Sequence, residues 1–134
     1  MPEIEHASAL IRAFVAPERQ ERLLGLLGSV RGRAKLRAGL AHFDALDARH
    51  VIQLPPGEHS PEAIGHLLRQ RGAPATSVLL AEDAALDGQE LPLEEALRRV
   101  VGRGMGAFVS CLPGRLAYFE GEGPGERCLL SRER

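Results

Sequence analysis

Residues 50–102 read HVIQLPPGEHSPEAIGHLLRQRGAPATSVLLAEDAALDGQELPLEEALRRVVG, and this stretch decides the fold class. His50-Val51-Ile52-Gln53-Leu54 has the character of a short strand and is closed by Pro55-Pro56-Gly57. Ser60 is placed to cap a helix with Pro61 at its first position, and Ile64, Leu67 and Leu68 form the buried stripe up to Arg71-Gly72. Thr76 to Ala81 is a second strand, nearly continuous in apolar character, as expected when both faces of a sheet are covered. An acid-rich loop follows, and Leu93, Ala96, Leu97, Val100 and Val101 recur at helical spacing before Gly102. Each helix opens on a proline with acids in the first turn and closes on arginines and a glycine. Two βα units in succession imply parallel strands joined by right-handed crossovers.

Upstream of this stretch the pattern is helical. Ile4, Ala7, Leu10, Ile11, Phe14 and Val15 mark one amphipathic helix, which Ala16-Pro17 stops. A second runs from about Pro17 to Leu27, and Leu36, Leu40 and Phe43 indicate a third ending near Asp44. Downstream, Ala107 to Leu112 and Leu116 to Glu120 flank Pro113-Gly114 and read as an antiparallel hairpin. A glycine-rich turn over 121–125 then leads to a last strand around Arg127 to Leu130. The expectation is an α/β fold, with α+β as the alternative: N-terminal helices, then β-α-β-α-β-β-β, in a mixed sheet of about five strands. At 134 residues the chain has room for one domain, 1–134, made of a helical part (1–48) and a sheet part with two crossover helices (49–134).

Apolar residues make up 44% and charged residues 26%, ordinary globular proportions that exclude a disordered or fibrous chain. The charge is unusual in kind, because 16 of the 17 cations are arginine and Lys35 is the single lysine. Lys35 lies in Arg33-Ala34-Lys35-Leu36-Arg37, which fits neither a phosphate-binding loop, nor a Schiff-base site, nor the acid-acid-lysine pattern of nucleases. The start, Met-Pro-Glu-Ile-Glu-His, is acidic and lacks the cationic region of a secretory signal, and no apolar run approaches membrane-span length. The expected location is the cytoplasm, with no membrane partner. Cys111 and Cys128 sit in apolar runs and are expected to be reduced and buried.

The net charge of -1 conceals two opposed blocks. Seven cations against two acids lie between Arg12 and Arg37, with Arg31, Arg33, Lys35 and Arg37 close together. Glu82, Asp83, Asp87, Glu90, Glu94 and Glu95 put six acids in the later block with no cation among them. If the second strand ran parallel to its neighbours, this loop would leave its carboxyl end, where α/β sheets gather ligands. Asp83, Asp87, Gly88 and Glu94 fall at positions 1, 5, 6 and 12 of a calcium loop, but Ala85 and Pro92 break the template. No cofactor is therefore expected; Mg²⁺ or Ca²⁺ is the ion class that such carboxylates would suit. The plain explanation is acids that complement helix dipoles beside a solvated turn.

Other motifs give less. Gly102-Arg103-Gly104-Met105-Gly106 follows a helix and precedes a strand, the reverse of a dinucleotide fingerprint, and reads as a helix cap. Cys111, followed by Arg115, is the candidate nucleophile, but no histidine is placed beside it by spacing. His42, Asp44 and Asp47 gather polar groups at a helix end. The histidines and cysteines lack metal-ligand spacing. These observations favour a binding or regulatory domain rather than an enzyme, working through a protein partner or as a homodimer. Its contact residues would be Glu82, Asp83, Asp87, Glu90, Cys111 and Arg115, together with Arg31, Arg33 and Arg37. The alternative is a hydrolase or transferase with an acidic site, with or without an ion, at the strand ends. A third reading, nucleic-acid contact through the arginine-rich helices, is less favoured because no aromatic is interleaved for base stacking.

Overall fold

The computed structural model describes residues 2–55, 57–123 and 126–132. Three helices come first: α1 (Pro2–Phe14), α2 (Pro17–Leu26) and α3 (Val30–Ala38), the last followed by a 3-10 turn at Leu40–His42. A second 3-10 turn, Ala48–His50, leads into β1 (Val51–Gln53). Then come α4 (Pro61–Gln70), β2 (Thr76–Ala81), β3 (Glu90–Pro92), α5 (Leu93–Val100), β4 (Ala107–Leu112), β5 (Leu116–Glu120) and β6 (Arg127–Ser131). The α/β class and the order of helices before strands agree with the sequence reading. Ser60 caps α4 as its position implied, its side chain accepting the Ala63 N–H at 3.0 Å. Pro56, Pro124 and Gly125, which belong to expected turns, lie outside the described residues.

The sheet corrects one expectation. It has six strands in the order β1-β6-β5-β4-β2-β3, and every neighbouring pair is antiparallel. The unforeseen element is β3, a three-residue edge strand that returns from β2 as a hairpin, with Val78 opposite Glu90 and Thr76 opposite Pro92. Its insertion reverses the direction in which the chain enters α5. The crossover through α5 therefore joins β3 to β4 across β2, and β4 meets β2 antiparallel. The strands β1 and β2 do point the same way, but three strands separate them. The acidic segment is thus a hairpin loop, and the argument from carboxyl ends of parallel neighbours no longer applies to it.

Both faces of the sheet are covered, which explains the continuous apolar runs without parallel pairing. Alternate residues divide between two cores. Leu79, Ala81, Val109, Cys111, Tyr118 and Leu129 pack under α4 and α5, against Ile64, Leu68, Leu93, Leu97 and Val100. Leu80, Phe108, Ala117, Phe119, Cys128 and Leu130 face the other way, against Leu10, Ile11 and Phe14 of α1 and Leu36 of α3. In α5 the buried positions Leu93, Ala96, Leu97 and Val100 fall at i, i+3, i+4 and i+7, one stripe on the sheet side. Gly106, at the entry to β4, is held by contact: a Cβ there would sit 2.1 Å from the Leu40 carbonyl carbon. Gly102 and Gly104 have φ of 78° and 74°, the left-handed geometry expected of a helix-ending loop. Among the described residues no helix is long and apolar enough to cross a membrane.

Candidate functional site

The two charge blocks meet each other. Arg33, on α3, donates from Nε to Asp87 Oδ2 at 3.0 Å and from Nη2 to Oδ1 at 3.1 Å, a two-pronged pair. Its Nη1 lies 2.8 Å from Glu3 Oε1 on α1. Arg37 Nε stands 3.8 Å from Asp87 Oδ2, and its Nη1 donates to the Glu82 carbonyl at 3.4 Å. Asp87 also accepts the Ala81 N–H at 3.0 Å, so one carboxylate ties α3 to the end of β2.

Four of the five remaining acids of that block have local partners too. Glu82 accepts the Gly106 N–H at 3.0 Å, and Asp83 caps its own turn by accepting from the Ala85 N–H at 2.9 Å. Glu94 pairs with Arg69 between α5 and α4, and Glu95 with Arg99 one helical turn on at 2.7 Å. Glu90 is exposed on the edge strand. Among the described residues no three His, Cys, Asp or Glu side chains are grouped to hold a metal. Arg31 and Lys35 point to solvent from α3.

Cys111 is 2% exposed within the core under α4 and α5, and burial pushes its thiol up to about 12. A thiol held protonated at neutral pH is a poor nucleophile. One pairing escaped sequence reasoning, because its members are far apart: His6 Nδ1 on α1 is hydrogen-bonded to Ser110 Oγ on β4 at 2.7 Å. Burial lowers the His6 pKa, against the pull of Glu5 and Glu90. The space beside this pair amounts to about 10 Å³, room for a single water at most, so the contact satisfies a buried hydroxyl rather than admitting a substrate. The buried Glu120 is likewise satisfied. It accepts from Tyr118 Oη at 2.7 Å and from the Gly102 N–H at 2.9 Å, while burial, with Glu120 second, raises the tyrosine pKa.

A wide, partly open cavity lies elsewhere, at the end of the sheet where β1 and β5 begin and β6 finishes. It encloses about 860 Å³ and is lined by Arg49, His50, Ile52, Arg71, Gly114, Arg115, Ser131 and Arg132. Among the described residues, every Asp, Glu, Lys or Arg in that lining is an arginine. Four separate segments deliver them. Asp47 caps the 3-10 turn and fixes Arg49, accepting its backbone N–H at 3.1 Å, its Nε at 3.0 Å and its Nη2 at 2.7 Å. Those bonds hold the Asp47 carboxyl down at about 2. His50 follows, its ring edge-on to Phe14 at 6.3 Å. Arg71 ends α4, where its N–H bonds the Leu68 carbonyl at 3.0 Å.

Arg115 leaves the β4–β5 turn, and its carbonyl accepts the Arg132 N–H at 3.0 Å, so these two side chains start side by side. Arg132 Nη1 reaches the Ala13 carbonyl at 3.4 Å. On the cavity wall Ser131 Oγ is buried and has no hydrogen-bond partner among the described residues. Of this group sequence reasoning singled out only Arg115, together with Asp47, which positions Arg49.

Comparison with known proteins gives no match to a family model, to a curated protein or to a solved structure.

Proposed function

We propose that the protein is a binding domain whose ligand is an anion held in the arginine-lined cavity. The observation that carries this reading is the lining itself: four arginines and a histidine border one space, with no carboxylate among the described lining residues, in a chain whose net charge is -1. Arginine is the side chain suited to multidentate recognition of oxyanions. A concave site of this volume falls within the ~300–1,000 Å³ range of small-molecule pockets. Arg33 and Arg37 of the basic block are engaged with Asp87 of the acidic one within the chain, and we therefore place the binding role in the cavity.

Isothermal titration at low ionic strength with phosphate, sulfate and citrate tests this reading. Binding of at least one of them should weaken as salt rises. Arg115 and Arg132 are exposed, so the double variant Arg115→Ala/Arg132→Ala should fold normally and lose that binding. The control Arg31→Ala, outside the cavity, should keep it. No heat from any anion at millimolar concentration, or equal loss in the control, overturns the reading.

A further inference from the structure

We propose that the anion site is proton-linked through His50: the cavity holds a divalent oxyanion more tightly once this imidazole carries a proton. The proposal rests on the anion-binding reading above and adds how that site is regulated.

His50 is the single histidine among the described residues that border the cavity, and it occupies a constrained place. Its backbone N–H bonds the Asp47 carbonyl at 3.0 Å, closing the 3-10 turn before β1. The Phe14 ring of α1 stands edge-on to the imidazole with ring centres 6.3 Å apart, and the imidazole Nε2 lies 4.0 Å from Asp47 Oδ2. The ring is thus held between an aromatic edge and a carboxylate, while the side chain keeps 20% of its surface exposed.

The charges of this turn decide what protonation does. Asp47 accepts from Nε and Nη2 of Arg49, so these two residues offset one another. With the imidazole neutral, the Asp47, Arg49 and His50 side chains sum to no net charge; with the imidazole protonated, they sum to one positive charge at the cavity wall. Asp47 stays ionised throughout, because its bonds with Arg49 hold its carboxyl at about 2. From the other elements around the space come Arg71 at the end of α4, Arg115 in the β4–β5 turn and Arg132 after β6, and arginine keeps its charge at neutral and mildly acid pH. Histidine is the side chain suited to changing charge between about pH 5 and 8. Arginines of fixed charge joined by one imidazole therefore make a site whose positive charge rises as pH falls. One unit charge a few ångströms from a divalent anion, in a site open to water and salt, changes affinity by roughly three- to tenfold.

The test is isothermal titration of the whole chain with sulfate at about pH 5.5 and about pH 8, at one low ionic strength. Sulfate is the probe because its charge is the same at both values, whereas phosphate changes its own protonation between them. Wild type should bind roughly three- to tenfold more tightly at the lower pH, and His50→Gln should bind with one affinity at both. His66→Gln, at an exposed position on α4 outside the cavity lining, should keep the wild-type ratio. Because His50 packs against Phe14, a second measurement uses the unaltered chain. Linkage is reciprocal, so saturating sulfate should raise the midpoint of the His50 NMR titration by the logarithm of the same ratio, about 0.5–1 in pH. Equal wild-type affinities at the two pH values, a ratio that survives in His50→Gln, or a His50 midpoint that sulfate does not move would overturn the proton link while the anion site stands. Absence of sulfate binding at both pH values also overturns it, and the anion reading falls with it only if phosphate and citrate are silent as well.

Discussion

Replacing Asp87 tests the idea that the two charge blocks clamp the helical layer to the sheet. The carboxylate accepts two bonds from Arg33 and one from the Ala81 N–H, with side-chain exposures of 11% for Asp87 and 15% for Arg33. A solvent-exposed ion pair contributes about 0–1 kcal/mol, and partial burial with two-pronged geometry places this pair above that range. Asp87→Ala also leaves the buried Ala81 N–H without its acceptor, which costs about 1–3 kcal/mol, while Arg33 keeps Glu3. The sum is a loss of about 2–4 kcal/mol, or roughly 10 °C in Tm for a chain of this size.

Asp87→Asn retains an oxygen for Ala81 and should lose about half as much. The assay is urea unfolding of wild type, Arg33→Met, Asp87→Asn and the double variant, with coupling of about 1–2 kcal/mol expected between the two sites. Coupling below about 0.3 kcal/mol with unchanged m-values would refute the clamp, leaving the apolar contacts alone to hold α3 in place.

Three further outcomes follow from the geometry. Gly106→Ala forces a methyl group against the Leu40 backbone and should destabilise by about 3 kcal/mol or more in chemical denaturation; a loss below about 1 kcal/mol would mean that the turn shifts freely. Burial raises Cys111 and Cys128 to about 12 and 11, so neither thiol should react with iodoacetamide at pH 7.5 until denaturant unfolds the chain, and rapid labelling of the native protein would contradict that burial. Asp47 is depressed from 3.8 to about 2, chiefly by its hydrogen bonds with Arg49. Its contribution to stability is therefore complete above the ordinary carboxylate range and disappears as pH falls toward 2. An NMR titration should place its midpoint near that value, and Arg49→Ala should move it upward; a midpoint unmoved by the variant would assign the shift to another cause.

The strands β2, β4 and β5 were legible to the residue because each is a mostly apolar run with a proline or glycine close to at least one end. The strand β3 was not. Glu90-Leu91-Pro92 is short and polar and contains a proline, a composition tolerated at a sheet edge and invisible to any pattern of alternation. Missing that one strand was enough to reverse the inferred polarity of the pair it precedes. The continuous apolar character of β2 added to the error, since a sheet covered on both faces gives the same signature whichever way its strands run.

The candidate site divides in a similar way. Opposed blocks of charge are visible in a linear sequence, and their pairing through Arg33 and Asp87 follows from complementarity. The cavity draws Arg49, Arg71, Arg115 and Arg132 from segments with nothing in common except where the sheet ends. No local spacing records that convergence. The one available hint was Arg115 directly after the Pro113-Gly114 turn.

The pairing of β1 with β6 governs how this protein must be made. Val51 lies opposite Leu130, so among the described strands β1 pairs with β6, the strand farthest from it along the sequence. Until β6 emerges, β1 is an unpaired edge and Phe108 and Phe119 have only a partial sheet on which to bury. Local contacts can form α4 and α5 early, but the sheet closes only after synthesis has passed Ser131. Such dependence on distant pairing slows folding. It also means that the arginine cavity, walled by β1 on one side and by the end of β6 on the other, cannot form before these two distant segments have met.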